Sequence, residues 1–297
     1  NSLSSWSRHL AWWWTMIELI QQKLDAYHVS NAAEEAQATK EIMQEIALYG
    51  LWRARFFELA AFQGGTSLRI LHGLPRFSED LDFLLLAPDP AFDWSAYLAK
   101  LLECFDEYGI QSEALPKGNM DRAVRTAVIK NNSFVNQLNL SYYRGHADQK
   151  ITIKLEIDAN PPAGSGYDYT YLDFPTDYEV CHQDLPSNFA LKIHALLCRP
   201  YLKGRDWYDF NWYIRQGVSP NLPHLRNALV QHGPWEGIEG DVIDEPWVRT
   251  ELQRKIDGLD WKQAADDVAP FLKANEQAGL ALWNARFFSD KLRKLGF

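Results

Sequence analysis

Asp80 and Asp82, separated by one leucine, lead an apolar run that continues through Phe83, Leu84, Leu85 and Leu86. Side chains alternate faces along a strand, so both carboxylates point the same way, with Cα atoms about 7 Å apart. An ionised carboxylate is costly to bury unless it is paired or holds a metal. Two of them side by side therefore point to a divalent cation. Oxygen-only donors suit Mg²⁺, which commonly takes one or two protein carboxylates together with substrate phosphates; Mn²⁺ is the alternative. Taken alone, such a pair also fits a half-solvated edge strand.

Gly64 and Gly65 stand ahead of the aspartates, between the apolar segment Leu59–Phe62 and the run Thr66–His72. A strand-to-helix turn is expected there. Glycines let the backbone approach a phosphate, and the helix start beginning at Thr66 offers N–H groups and the positive end of a dipole. A phosphate cradle followed by a metal-binding pair describes a site for a nucleoside triphosphate. In the loop before the aspartates, Arg76 could neutralise triphosphate charge. Ser78 shares the carboxylate face if the strand reaches that far back. Arg69, in the helix, reads as a surface salt-bridge residue.

The glycine turn, short helix and Asp-x-Asp strand resemble the DNA-polymerase-β-like nucleotidyltransferases. The fuller string from Phe62 to Phe83, FQGGTSLRILHGLPRFSEDLDF, is similar to the AbiEii/AbiGii-type toxins, the nucleotidyltransferase half of bacterial toxin–antitoxin pairs. Two later blocks extend the resemblance, which covers about residues 59–215. In Ile151–Asp158 the side chains alternate, with isoleucines and Leu155 on one face and Thr152, Lys154, Glu156 and Asp158 on the other. The resemblance implies a third metal-binding carboxylate from this strand, Glu156 or Asp158, with Glu156 favoured by a Lys-x-Glu element. It also makes Lys154 available to a phosphate. The third block runs from Asn188 to Arg199 and on through Lys203-Gly204-Arg205-Asp206-Trp207-Tyr208-Asp209. Its first part reads as an amphipathic helix with Ser187 as N-cap. Arg205 and Asp209 are spaced for an ordinary i,i+4 helix pair. The resemblance implies instead that Lys192 contacts the triphosphate and that the helix bearing Arg205 and Asp209 closes the site. His194 reads as structural.

What the resemblance implies is a toxin that moves a nucleoside monophosphate from an NTP to an acceptor, releasing pyrophosphate. A cognate antitoxin would be its partner and the 3′ end of tRNA its acceptor. Asp80, Asp82, Lys192 and Asp209 would be catalytic. Two other readings stay open: a small-molecule or protein hydroxyl as acceptor, and a non-catalytic nucleotide-binding module.

The elements that must position these residues follow from the coarse pattern. Helices run to about residue 60, then come the glycine turn, a helix and the Asp-x-Asp strand. A helix over about 94–108 and strand-like runs near 122–143 and 150–158 follow; beyond the Lys192 helix the pattern is mostly helical, broken at Pro220, Pro223, Pro234 and Pro246. This is an α+β order: N-terminal helices over 1–54, a polymerase-β-like core with a mixed sheet over 55–180, and a helical C-terminal part over 181–297. The active site is expected in the cleft between the last two. At 297 residues and 46% hydrophobic, with 12 Trp, the chain can bury a sizeable core. Its three cysteines lack CxxC spacing, which argues against a disulfide framework or zinc site and fits a reducing cytoplasm. The run Leu10–Ile20, with Trp12, Trp13 and Trp14, is too short to span a bilayer and lacks signal-peptide features. The net charge of −9 gives no global basic footprint for a nucleic acid. Basic residues do cluster locally, as Arg53/Arg55, Arg122/Arg125/Lys130, Arg199/Lys203/Arg205 and Lys291/Arg293/Lys294, each reading as a solvated face.

Overall fold

The computed structural model describes residues 16–117, 124–131, 138–142 and 151–297. Trp12, Trp13, Trp14 and Arg122 lie outside the described residues. The chain divides into two compact units, each assembled from separate stretches of sequence. The first runs through Phe62 and adds Phe77–Pro161 and Tyr169–Cys181; the second takes Gln63–Arg76, Pro162–Asp168 and His182–Phe297.

The first unit is built on a mixed sheet of seven strands: β1 (Ala60–Gln63), β2 (Asp80–Leu85), β3 (Ser112–Lys117), β4 (Val124–Asn131), β5 (Ile151–Asp158), β6 (Tyr167–Leu172) and β7 (Tyr178–Gln183). Their order is β3-β4-β5-β2-β1-β7-β6. β2 pairs parallel with β5, whereas β5–β4 and β4–β3 are antiparallel. Leu86 N donates to Leu59 O and the Phe62 ring lies 5.4 Å from Phe83, so β1 runs antiparallel to β2. β5 forms as its alternation dictates: Ile153, Leu155 and Ile157 are buried and the charged positions between them are half-exposed. Three helices belong to this unit: α1 over residues 16–25, α2 (Ala32–Arg53) and α4 (Ser95–Glu107). Asn31 caps α2 by accepting from Glu34 N. Phe56 anchors the core, with ring centroids 5.0 Å from Phe83, 5.1 Å from Tyr97 and 5.4 Å from Trp94.

The second unit is helical. It opens with α3 (Gly64–His72) and resumes with α5 (Leu185–Cys198), α6 (Gly204–Gln216), α7 (Leu222–Gln231), α8 (Glu245–Asp257), α9 (Trp261–Val268), α10 (Ala274–Gln277) and α11 (Ala285–Arg293). Its core stacks Phe189 on Tyr213 at 4.3 Å and Trp261 on Phe288 at 4.1 Å. Leu68 and Leu74 join this core from the α3 stretch. At about 2–3 kcal/mol per fully buried large side chain, these rings outweigh exposed helix ion pairs such as Arg254–Glu251, each worth a few tenths. Two prolines read as breaks, Pro223 and Pro246, sit in the first turns of α7 and α8, where a missing N–H costs nothing. Pro186 does the same for α5 and moves its start back. The cap is therefore Asp184, which accepts from Ser187 N at 2.8 Å, and Ser187 is inside the helix.

Candidate active site

In β2 the hydrophobic and acidic positions separate by face. Leu81 and Phe83 are buried, while Asp80 and Asp82 are half-exposed. The parallel register sets Asp80 opposite Lys154, Asp82 opposite Glu156 and Leu84 opposite Asp158. Aligned residues of neighbouring strands share a face, so Asp80, Asp82, Lys154 and Glu156 come together on one patch of the sheet. Lys154 Nζ lies 2.6 Å from Glu156 Oε1. Asp158 stands one step beyond, level with a leucine, and accepts from Asn160 N at 2.9 Å in the turn that ends β5. Of the two candidates for a third carboxylate, Glu156 is the one level with Asp82.

Burial pushes the Asp80 carboxyl above its ordinary range, and the nearby Lys40 and Lys154 ammoniums pull it partly back. Burial works against the charge of Lys154 too, but its hydrogen bond to Glu156 and the surrounding carboxylates outweigh that and raise it. Among the described residues no group of three or more His, Cys, Asp or Glu is gathered into a metal-holding cluster. The donor chemistry nonetheless fits a hard cation. Asp80 and Asp82 offer only oxygens, and Asp80 sits where burial disfavours its charge unless a cation is near. Glu156 could join them by exchanging Lys154 for the metal.

The glycine turn belongs to the second unit and is braced from within it. Gly64 has φ +77°, a conformation L side chains rarely adopt. Its N–H donates to Asn188 Oδ1 at 3.1 Å, Asn188 Nδ2 donates to Ser67 Oγ at 3.0 Å, and Ser67 Oγ donates to Gly64 O at 2.8 Å. This closed ring fixes the start of α3, with Thr66 buried behind it. Gly65 is a glycine for a different reason: a Cβ there would sit 2.2 Å from Arg76 Nη2. Sequence reasoning missed Asn188. The available signal was its position four residues before Lys192 on α5, which puts both on one helix face.

Arg76 leads into a buried charge network. Its Nε and Nη2 each donate to an Asp209 carboxylate oxygen at 2.6 Å, and the two side chains are 3% and 0% exposed. Lys192 Nζ lies 2.9 Å from Asp209 Oδ2 and 2.8 Å from Asp206 Oδ1. Arg199 pairs with the other Asp206 oxygen. Burial alone would drive these groups neutral, but their partners outweigh it. Arg76 and Lys192 are held above their usual values, Asp209 is held below its own, and Asp206 is brought down to about 2. Three cations face two carboxylates, leaving one positive charge in excess behind the glycine turn. A helix start with a glycine pair and residual positive charge suits a phosphate.

The remaining candidates are placed as follows. β2 begins at Asp80, two residues past Ser78. Arg205 lies over the Phe271 ring at 4.2 Å, while the oxygens of Asp209 on the same helix engage Arg76 and Lys192. Arg69 donates to the carbonyls of Leu74 and Pro75 and so fastens the loop after α3. His194 Nε2 is 3.0 Å from His232 O, a structural contact.

No curated protein is similar enough to be matched with this chain. Two solved structures from Helicobacter pylori resemble it. One, described as a candidate nucleotidyltransferase, is 18% identical with a TM-score of 0.42, covering 87% of this chain and 96% of its own. The other, JHP933, is 16% identical with a TM-score of 0.43, covering 89% and 96%. The family model described as "Nucleotidyl transferase AbiEii toxin, Type IV TA system" matches residues 46–288. That match begins in the second half of α2, ends in α11 and takes in stretches of both units, so the chain as a whole, and not one element of it, belongs to the AbiEii nucleotidyl transferase toxin family.

Proposed function

We propose that this nucleotidyltransferase moves a nucleoside monophosphate from an NTP to the 3′ end of tRNA, using Mg²⁺ (or Mn²⁺) held by Asp80 and Asp82, with Glu156 as third carboxylate. The observation that carries this reading is the alignment of Asp82 with Glu156 on neighbouring parallel strands, with Asp80 on the same face. When bound, the metal supplies charge neutralisation for the triphosphate and a lowered pKa for the acceptor hydroxyl. The acceptor oxygen forms a bond to the α-phosphorus, the bond from that phosphorus to the bridging oxygen breaks, and pyrophosphate leaves. The hydroxyl proton passes to one of the strand carboxylates.

The Gly64-Gly65 turn lets phosphate approach in this reading, with the Gly64 N–H kept by Asn188 and the N–H groups of Gly65 and Thr66 turned to phosphate, together with Lys154 and the partly exposed Lys192. Arg76, Ser78 and Arg205 are secondary candidates for the same task. Asp209 is fully buried between Arg76 and Lys192, so it acts by positioning Lys192. The partner expected for a family of toxin–antitoxin systems is an antitoxin. None of Cys104, Cys181 and Cys198 is in a disulfide, which fits a cytoplasmic setting. No helix among the described residues is long and apolar enough to cross a membrane. The net charge of −9 favours, as a second reading, a cationic small molecule as acceptor.

The test is incubation with Mg²⁺, total tRNA and each α-labelled NTP in turn, beside Asp82→Ala. Label should appear on tRNA with at least one nucleotide and fall about a hundredfold or more in the variant. Glu156→Gln should follow Asp82→Ala, while Asp158→Asn keeps most activity. Absence of label on RNA with every nucleotide would overturn the tRNA assignment and move the search to protein and small-molecule acceptors.

A further inference from the structure

The basic cluster Arg199/Lys203/Arg205 reads from sequence as a solvated face, and the structure gives part of it a shape. The short loop between α5 and α6 closes a pocket of about 90 Å³ with Trp207 and Leu259 in its walls. Arg199, Lys203 and, from α8, Lys255 bring three cations to this pocket, and Tyr201 completes it. Tyr201 is 64% exposed, and the Arg199 guanidinium lies 5.2 Å from its ring centroid. Arg199 is itself fixed by Asp206, so the tyrosine is steadied from one side and open on the other.

The two lysines differ from Arg199. Among the described residues neither ammonium makes a hydrogen bond or an ion pair, although both backbone carbonyls accept one, and Lys203 is only partly exposed. Burial presses the Lys203 amine down, opposed by Asp206, whose oxygens already serve Lys192 and Arg199. A half-buried cation with no carboxylate of its own wants an external anion. An open aromatic ring beside such cations wants a flat partner. One unpaired nucleotide supplies both, a π face for stacking and flanking phosphates for the lysines. A protein partner needs roughly 800 Å² on each side for a stable interface, far more than this pocket presents.

We propose that the α5–α6 loop pocket seats one unpaired nucleotide of the acceptor RNA, with Tyr201 stacking on its base and Lys203 and Lys255 holding adjacent phosphates. The proposal rests on the reading that the acceptor is an RNA. It adds a recognition subsite formed by residues outside the proposed transfer chemistry.

The experiment measures binding of deacylated tRNA and of a short fluorescein-labelled single-stranded RNA by anisotropy over a range of salt. It compares the full chain with Tyr201→Ala and with Lys203→Gln/Lys255→Gln, each checked by thermal melting. Tyr201→Ala should weaken RNA binding about tenfold, the scale of one lost base stack. The double lysine variant should flatten the slope of log K against log salt by about 1.4, from about 0.7 per phosphate contact on a single strand. The KM for the NTP should not move in either. If the wild-type chain binds RNA and the variants bind it equally well, the pocket assignment is overturned while the RNA reading stands. If the lysine changes raise the KM for NTP and leave RNA binding intact, the pocket serves the free nucleotide and the proposal is wrong. Loss of antitoxin binding with RNA binding intact would give the pocket to the protein partner. No RNA binding by the wild-type chain would remove the acceptor reading and this proposal together.

Discussion

Arg76 and Asp209 lie 133 residues apart in sequence and share two 2.6 Å hydrogen bonds in a site closed to water. Truncating one member of a buried pair leaves the other charge uncompensated, at about 3–5 kcal/mol. Arg76→Met and Asp209→Asn should each destabilise the chain by that order, read by denaturant unfolding. The double variant should lose clearly less than the sum, with a coupling of about 2 kcal/mol or more. Strict additivity would mean that the pair is not what holds the site. Sequence reasoning named both residues, Arg76 as a cation in the loop before the Asp-x-Asp strand and Asp209 through the family resemblance. It could not join them, because pairing across the chain leaves no spacing signature. On helix spacing alone Arg205 was the natural partner for Asp209. Asn188 was overlooked for a related reason: its task is to close a hydrogen-bonded ring with Gly64 and Ser67 far away in sequence, and its i,i+4 spacing to Lys192 was the one local signal.

Elements were more legible than contacts. The Asp-x-Asp strand and the alternating Ile151–Asp158 run both form strands, because one apolar face per strand fixes which residues turn outward. Their register could not be read, and it is the register that separates Glu156 from Asp158. The start of α5 went astray because Ser187 was read as the cap without weighing Pro186, whose place in the first turn makes Asp184 the cap. Within α2, Glu45 adds a pH dependence that composition would not suggest. Burial pushes its carboxyl up to about 7, despite Lys23 at 3.0 Å, and the like charges of Glu41 and Asp173 add to the shift. Between about pH 4.5 and 7 the folded chain keeps a proton that the unfolded chain has released. Stability therefore falls as pH rises through that window and is lowest above it. Glu45→Gln should remove this slope and raise stability at pH 8 by about 2 kcal/mol, since Lys23 is exposed enough to find water. Melting curves at pH 5 and pH 8 decide it: an unchanged difference between the two in the variant would clear Glu45 of the effect.

At the scale of the whole molecule, the residues that make one unit are not contiguous in sequence. The helical unit draws Gln63–Arg76 from inside the stretch that otherwise builds the sheet. That segment supplies Leu68 and Leu74 to the helical core and Arg76 to Asp209. A fragment beginning at His182 keeps α5 to α11 but loses all three. Two buried leucines, each replaced by a void or by water, cost about 2–5 kcal/mol apiece by analogy with core truncations. Asp209, left with Lys192 but without Arg76, adds to the loss, and the sum approaches the total stability of an ordinary domain, about 5–15 kcal/mol. The 182–297 fragment should therefore lack a cooperative thermal transition by far-UV circular dichroism, although its helices keep their caps and prolines. Adding a peptide of residues 63–76 should restore part of the helical signal, and the same peptide carrying Arg76→Met should restore less. A fragment that melts cooperatively alone would show that α5 to α11 carry enough core to stand without the glycine-turn segment.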